Sequence, residues 1–335
     1  MYLPSPTYTF TIPSLHDETQ LDCRLYLPRA LLQSGYIRGA IVAHPYAPLG
    51  GCYDDPVVSF VGGELLKGGY IVGTFNFRGA GNSEGKTSWT AKPELADYAS
   101  FYGFMLCYLR SLRSRLASQR RDKSTTDEHG ADVESPLGFV DIHLILGGYS
   151  YGSLIASHLP ALDAIVDLFR NSIEGAPSFE IFQTAENVSA LLEENGPTQE
   201  QRPSARGALL WSLDASKIAV SYLLVSPLLP PLNLFLTLFS TMSLDVGIYG
   251  ATQGKQILCP KTTSQLCAHP SLAIYGNQDT FTSANKLNKW SDELSHVPGS
   301  QFQSAEIAGA GHFWREEGVE SQARDALRDW LRLIP

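Results

Sequence analysis

Short apolar runs along the chain predict the strands of a largely parallel sheet. Two alternating runs, at 7–12 and 22–27, are typical of antiparallel strands at a sheet edge. The later runs are continuously apolar, as expected for strands that are buried on both faces. They lie at 40–43, 70–77, 142–146, 218–225, 271–275 and 303–307.

The segments between these runs show the apolar spacing of helices. The clearest predicted helices are 57–66, 94–116 and 322–333, and each follows a predicted strand. This alternation predicts an α/β fold in which a mostly parallel, eight-stranded sheet is covered by helices on both faces.

Two segments interrupt the alternation. Residues 160–215 contain extra helical stretches, at 162–173 and 179–194, and then a polar stretch rich in Pro, Gly and Gln. We interpret 160–215 as a helical lid inserted into a core that 1–159 and 216–335 form. Residues 118–136 are charged, rich in Ser and Thr and almost free of large apolar residues, so we expect a disordered surface loop there.

Composition narrows the class of partner. The chain has 335 residues, of which 44% are hydrophobic and 18% are charged, and this suits a globular protein with a large core. The formal net charge of −9 argues against nucleic acid as a partner, because phosphate binding needs a basic face. One basic run, from Arg110 to Lys123, leads into an acidic polar stretch and is better explained as a solvated helix end.

We expect no targeting or membrane-spanning segment. Its first residues, M-Y-L-P-S-P, lack the basic and apolar regions of a secretory signal. The richest apolar candidate for a membrane span, 223–239, is broken by prolines. The five cysteines have no paired spacing, which favours reduced thiols, and we expect a cytoplasmic protein. None of them lies in a metal-ligand pattern with histidine, so we expect no metal and no cofactor.

A candidate nucleophile follows the third continuously apolar run. The sequence G-Y-S-Y-G at 148–152 matches the G-x-S-x-G pattern, with Ser150 at its centre. In this pattern the serine lies on a tight strand-to-helix turn, and small residues two before and two after it let the strand and helix approach closely. The apolar strand before the motif and the helical segment after it favour this interpretation over a glycine-rich turn.

A candidate acid and a candidate base follow in the order that the pattern requires. Asp279 comes just after the apolar run 271–275, and His312 lies in a glycine-rich loop after 303–307. Both residues are therefore expected at the rim where parallel strands end. In such a triad His312 would take the proton of Ser150, and Asp279 would orient the imidazole. A turn or N-cap aspartate is the alternative for Asp279, and a loop histidine is the alternative for His312.

Together these landmarks resemble the α/β-hydrolase superfamily, from about residue 38 to the C-terminus. The segment H-P-Y-A-P-L-G-G at 44–51 is also similar to a subgroup with a His-Pro-type oxyanion loop. The resemblance implies two backbone donors for an oxyanion, the N–H groups of Tyr151 and Tyr46. Pro45 cannot supply the second one because proline has no N–H. His44 is expected to order its loop by hydrogen bonding, and Arg78 with Gly79 to form a structural turn.

The expected function is that of a serine hydrolase that cleaves an ester or thioester through an acyl group on Ser150. The partner would be a small, apolar substrate. An acyltransferase with the same triad and a non-catalytic binding protein of the same fold are the alternatives. The apolar stretch 228–239 raises a third possibility, a membrane-contacting lipase-like protein, although a lid or pocket lining is the better explanation. The sequence leaves substrate identity and oligomeric state open.

Overall fold

A computed structural model describes residues 1–29, 36–124, 140–194, 213–238, 241–247 and 255–335. Its strands, in chain order, are β1 (Tyr8–Pro13), β2 (Gln20–Tyr26), β3 (Ile37–Ala43), β4 (Ile71–Phe75), β5 (Ile142–Tyr149), β6 (Ile218–Val225), β7 (Ser243–Val246), β8 (Lys255–Leu258), β9 (Ser271–Gly276) and β10 (Phe302–Ile307). All eight predicted strands are present, with ends that differ by a few residues. The β7–β8 pair forms a separate antiparallel sheet that the sequence pattern does not predict.

The main sheet has eight strands in the order β1-β2-β4-β3-β5-β6-β9-β10. Strand β2 pairs antiparallel with β1 and β4, and every other neighbouring pair is parallel. Strand β5 is central, because Gly148 at its end pairs with Ala43 of β3 on one side and with Leu224 of β6 on the other. The predicted fold class is therefore confirmed.

Helices cover both faces of this sheet. They are α1 (Pro56–Lys67), α2 (Lys92–Ser124), α3 (Tyr151–Ser157), α4 (Leu162–Arg170), α5 (Pro177–Glu194), α6 (Leu232–Leu236), α7 (Thr262–Ala268), α8 (Ala284–Ser295) and α9 (Val319–Leu331). Helices α1 and α9 pack on one face, where Ile145 of β5 lies in their core cluster. Helices α2, α3 and α5 belong to the other cluster, which contains Leu144 and Leu146. The alternation along β5 thus supplies both cores.

The helix predicted at 94–116 is longer than its apolar pattern indicates. It runs from Lys92 to Ser124 and so includes the first part of the segment predicted as a surface loop at 118–136. Solvated polar residues can continue a helix that is already formed, so the apolar pattern ends before the helix does. The rest of that predicted loop lies outside the described residues.

The two helices of the predicted lid pack against the long helix α2. The hydroxyls of Ser111 on α2 and Ser189 on α5 are hydrogen-bonded at 2.8 Å. The Phe169 ring of α4 lies so close to Gly103 that a Cβ there would come within 1.9 Å of it, so only glycine permits this contact. Part of the 160–215 segment lies outside the described residues, and its role as a lid stays a prediction.

No single helix in the described ranges has both the length and the apolarity to cross a membrane. The pair α3 and α4, bent by 81°, meets that test of length and composition only when its two helices are taken together.

Candidate active site

Ser150 lies on the sharp turn between β5 and α3. Its backbone has φ 54° and ψ −112°, a conformation that L side chains rarely adopt. The turn is held in place because the Ser150 N–H donates to the Val225 carbonyl at the end of β6, at 2.8 Å. The strand-to-helix turn expected for a nucleophile is therefore present, and its strain is confined to the residue that carries the hydroxyl.

The two glycines of the motif are required by close backbone contacts. A Cβ at Gly148 would lie 2.3 Å from the carbonyl carbon of Gly152, and a Cβ at Gly152 would lie 2.4 Å from the Ala43 carbonyl oxygen. Both contacts are with backbone, which cannot move aside as a side chain can. The motif is thus explained by packing between β5, α3 and β3.

The structure brings together the three residues that the sequence predicts as a triad. The Ser150 hydroxyl is 2.8 Å from Nε2 of His312, and Nδ1 of His312 is 2.7 Å from Oδ2 of Asp279. The exposed fractions of the three residues are 6%, 4% and 6%, respectively. Each follows a different parallel strand, β5, β10 or β9, so their convergence comes from the sheet.

Asp279 is oriented by the backbone of its own loop. Its Oδ1 accepts the N–H groups of Phe281 (2.7 Å) and Thr282 (3.1 Å), which leaves Oδ2 for His312. A carboxylate oxygen can only accept, so we assign the proton on the imidazole to Nδ1. Nε2 is then free to accept the hydroxyl proton of Ser150.

The loop that carries His312 is hydrogen-bonded to the last residue of β5 and to the residue that follows β6. The Tyr149 hydroxyl donates to the His312 carbonyl at 2.7 Å, and the Trp314 indole N–H donates to the Ser226 hydroxyl at 3.0 Å. Trp314 and Ser226 both have positive φ, 56° and 47°. Two residues with strained backbone therefore bond to each other beside the loop that carries His312.

Aromatic rings line the imidazole of His312. The Phe281 ring stacks on it at a centroid distance of 4.2 Å, and the Phe313 ring meets it edge-on at 5.6 Å. The sequence analysis did not include Phe281, Phe313 or the Tyr149 side chain in the site. Only their nearness in sequence to Asp279, His312 and Ser150 could have suggested them.

The two predicted oxyanion donors lie on neighbouring elements. The N–H of Tyr151 opens α3, and Tyr46 directly precedes a short 3-10 helix, Ala47–Leu49. Their side-chain rings are 5.1 Å apart, which places the two segments side by side. Within the described part of the chain, no protein acceptor receives either N–H. Both groups are thus available to an oxygen from outside the chain.

His44 is buried and bonded entirely to backbone. Its Nε2 accepts the Phe77 N–H at 2.9 Å, so Nδ1 carries the proton and donates to the Pro45 carbonyl at 2.6 Å. Burial lowers the pKa of His44 to about 4, which keeps the ring neutral near pH 7. The ring therefore ties the Tyr46 loop to the segment after β4, in agreement with the predicted ordering role.

Arg78 lies in a buried polar network beside this loop. Its guanidinium contacts both carboxylate oxygens of Asp97, at 2.7 and 2.9 Å, and also contacts Asp17 and the Ser14 hydroxyl. Burial by itself lowers the pKa of Arg78, but the bonds to Asp97 and Asp17 outweigh it and raise the pKa. The network joins the β1–β2 turn to α2, which agrees with a structural role.

Metal-ligating side chains do not cluster in the described ranges: no group of three or more His, Cys, Asp or Glu there is placed to hold an ion. All five cysteines are free thiols.

Known proteins resemble this chain only distantly. The sequence matches no family profile and no curated protein. A structure described as an α/β serine hydrolase homologue from Coxiella burnetii is 16% identical, covers 99% of both chains and has a TM-score of 0.49. An α/β serine hydrolase without a lid, from Xanthomonas campestris, is 17% identical, with coverage of 99% of this chain and 97% of its own and a TM-score of 0.46.

A third similar structure is Est1E from Butyrivibrio proteoclasticus with bound ferulic acid. It is 13% identical, covers 97% of this chain and 98% of its own, and has a TM-score of 0.47. All three TM-scores are below 0.5. The fold of this chain therefore rests on its own strand order, on the antiparallel β2 and on the strained turn at Ser150 after β5. The chain has the α/β-hydrolase fold.

Proposed function

We propose that the protein is a serine hydrolase that cleaves a small ester or thioester through an acyl group on Ser150. The observation that carries this proposal is the continuous hydrogen-bonded path from the Ser150 hydroxyl through His312 to Asp279, with distances of 2.8 and 2.7 Å. Fold alone does not imply an activity, so the proposal rests on this geometry.

Acylation begins when the Ser150 oxygen attacks the substrate carbonyl carbon and its proton moves to Nε2 of His312. The carbonyl oxygen becomes an oxyanion, which the N–H groups of Tyr151 and Tyr46 would receive. One such donor typically contributes about 3 kcal/mol to transition-state stability. The tetrahedral intermediate then collapses, the bond to the alcohol or thiol breaks, and His312 returns the proton to that leaving group.

Deacylation repeats these steps with water as the nucleophile. His312 takes a proton from the water molecule, whose oxygen attacks the acyl carbon, and the Ser150 oxygen leaves and recovers its proton from the imidazole. In both halves the imidazole passes through its charged form. Asp279 stabilises that form and holds the ring orientation, since its other oxygen is fixed by two backbone N–H groups.

The surroundings of the triad favour a substrate with apolar character. Phe281 and Phe313 border the imidazole, and more than half of the Phe313 side chain is exposed (52%). An acyl group that reaches the Ser150 hydroxyl would pass these rings and bury apolar surface against them. The same residues would serve acyl transfer to an alcohol or amine, but no specific contact favours that reaction over hydrolysis.

The proposal is tested by labelling with a fluorophosphonate and by a chain-length panel of nitrophenyl esters and thioesters. We expect the wild-type protein to be labelled and to release acid from at least one panel member. Ser150→Ala should lose both properties. Ser295→Ala is the matched control, since Ser295 is exposed on α8 and its hydroxyl donates to the Asp292 carbonyl. An unlabelled wild-type protein, or turnover that survives in Ser150→Ala, would contradict the proposal.

A further inference from the structure

An exposed cation lies just outside the candidate active site. Arg315 follows His312 by three residues, and its guanidinium carbon is 5.3 Å from the centre of the Phe313 ring. Arginine stacks well on aromatic faces, which limits the orientations of its side chain and leaves the edge of the guanidinium open to an acceptor.

A continuous series of ring contacts joins this cation to the base. Phe313 meets the His312 ring edge-on at 5.6 Å and meets Phe281 edge-on at 5.7 Å, while Phe281 stacks on His312 at 4.2 Å. A substrate that is bound at the Ser150 hydroxyl and extends along this aromatic surface would therefore reach the guanidinium of Arg315.

The positive charge of Arg315 is not neutralised by an ion pair with any acid in the described ranges. Asp55 is near enough to affect it electrostatically, but the Asp55 Oδ1 caps α1 by accepting the Val57 N–H at 2.8 Å. The carboxylate of the neighbouring Glu316 accepts the Gly311 N–H at 3.1 Å. By contrast, Arg78 and Arg324 each contact two carboxylates. The chain has a net charge of −9, so a cation beside the triad without an ion pair in the described ranges is a candidate binding group for an anion.

We propose that Arg315, held over Phe313, binds an anionic group on the substrate, so that the preferred substrate is an ester with an apolar segment that ends in a carboxylate. This inference rests on the proposed function and narrows its substrate class. The apolar segment would lie along Phe281 and Phe313. The carboxylate would accept hydrogen bonds from the planar guanidinium, a pairing for which arginine is suited.

Matched pairs of substrates test the inference directly. The 4-nitrophenyl half-esters of adipic and suberic acid carry a free carboxylate, and the corresponding methyl 4-nitrophenyl diesters have the same chain without the charge. We expect the wild-type kcat/KM for the charged member to exceed that for the uncharged member about three- to tenfold at low ionic strength. The ratio should fall towards one at high salt, because the pair is exposed.

Two variants locate the effect. Arg315→Gln should bring the charged-to-uncharged ratio close to one, and Arg315→Lys should restore part of it. Arg332→Gln is the matched control, because Arg332 is exposed near the end of the last helix and pairs with Asp329, and it should keep the wild-type ratio. In a second pair, 4-acetoxybenzoate and its methyl ester, the charged member has its carboxylate on the leaving group and not on the acyl group.

A preference that depends on Arg315 in either kind of pair supports the inference and shows on which side of the ester the anion binds. A wild-type ratio near one in both pairs, or a preference that persists in Arg315→Gln, overturns it. If the wild-type protein cleaves no ester at all, the proposed function itself fails, and that outcome is distinct from a lost preference.

Discussion

Two buried histidines at the same rim of the sheet differ in their hydrogen-bond partners. His44, after β3, gives both ring nitrogens to backbone groups of Phe77 and Pro45. His312, after β10, has both ring nitrogens bonded to side chains, those of Ser150 and Asp279. Burial is similar, so the partners and not the burial separate a structural histidine from a candidate base. The predictions below test this contrast.

The largest effect is expected from His312→Gln. In the proposed mechanism the imidazole removes the Ser150 proton, so without it kcat/KM for a cleaved ester should fall on the order of 10⁴-fold or more. The fold should be largely retained, because the His312 ring is hydrogen-bonded to two side chains, those of Ser150 and Asp279. Kinetics and urea unfolding of the same preparation check both statements. A variant with near wild-type turnover would remove His312 from the mechanism.

An intermediate effect on activity, with a larger effect on stability, is expected from His44→Leu. The buried Phe77 N–H and Pro45 carbonyl would lose their partners, which costs about 1–3 kcal/mol of unfolding free energy. The loop that carries Tyr46, the proposed oxyanion donor, would also lose its hydrogen-bonded link to Phe77. We therefore expect activity to fall about tenfold. Urea unfolding at pH 7 measures the first change. His296→Leu, at an exposed position after α8, is the control.

The pH dependence of unfolding in His44→Leu tests the role of His44 in a second way. The pKa of His44 is about 4, below the ordinary histidine value of about 6.5, so between these values the unfolded chain binds more protons than the folded one. The wild-type free energy of unfolding should therefore fall as the pH is lowered from about 6.5 to about 4. His143, whose pKa burial also lowers to about 4, adds to this slope. His44→Leu should show a shallower fall, and an unchanged slope would contradict the assignment.

The smallest effect is expected from Tyr149→Phe. This change removes only the hydroxyl that donates to the His312 carbonyl, a bond that contributes about 1 kcal/mol. The imidazole would be held less firmly, so kcat should fall about threefold while KM changes little. Tyr108→Phe on α2 is the matched control, since the buried Tyr108 hydroxyl has no hydrogen-bond partner among the described residues. Equal effects in the two variants would show that Tyr149 does not position the base.

The sequence by itself determined where the strands lie along the chain and which reactive residues follow them. Continuously apolar runs identify strands that are buried on both faces, and this pattern is local. Ser150, Asp279 and His312 each come directly after such a run, so their meeting at one rim could be predicted before any distance was known. The need for small residues at 148 and 152 was predicted from the G-x-S-x-G pattern, which is also local.

Only the tertiary structure decided the partners of each side chain. The Tyr149 hydroxyl bonds to a carbonyl 163 residues away, and Trp314 bonds to Ser226 across 88 residues. The separation of the β7–β8 pair from the main sheet and the packing of α4 and α5 on α2 likewise depend on distant segments. Local sequence patterns indicate whether a residue is buried, because burial follows the period of the helix or strand. They do not indicate which distant group contacts that residue, because the contact depends on how the whole sheet brings its loops together.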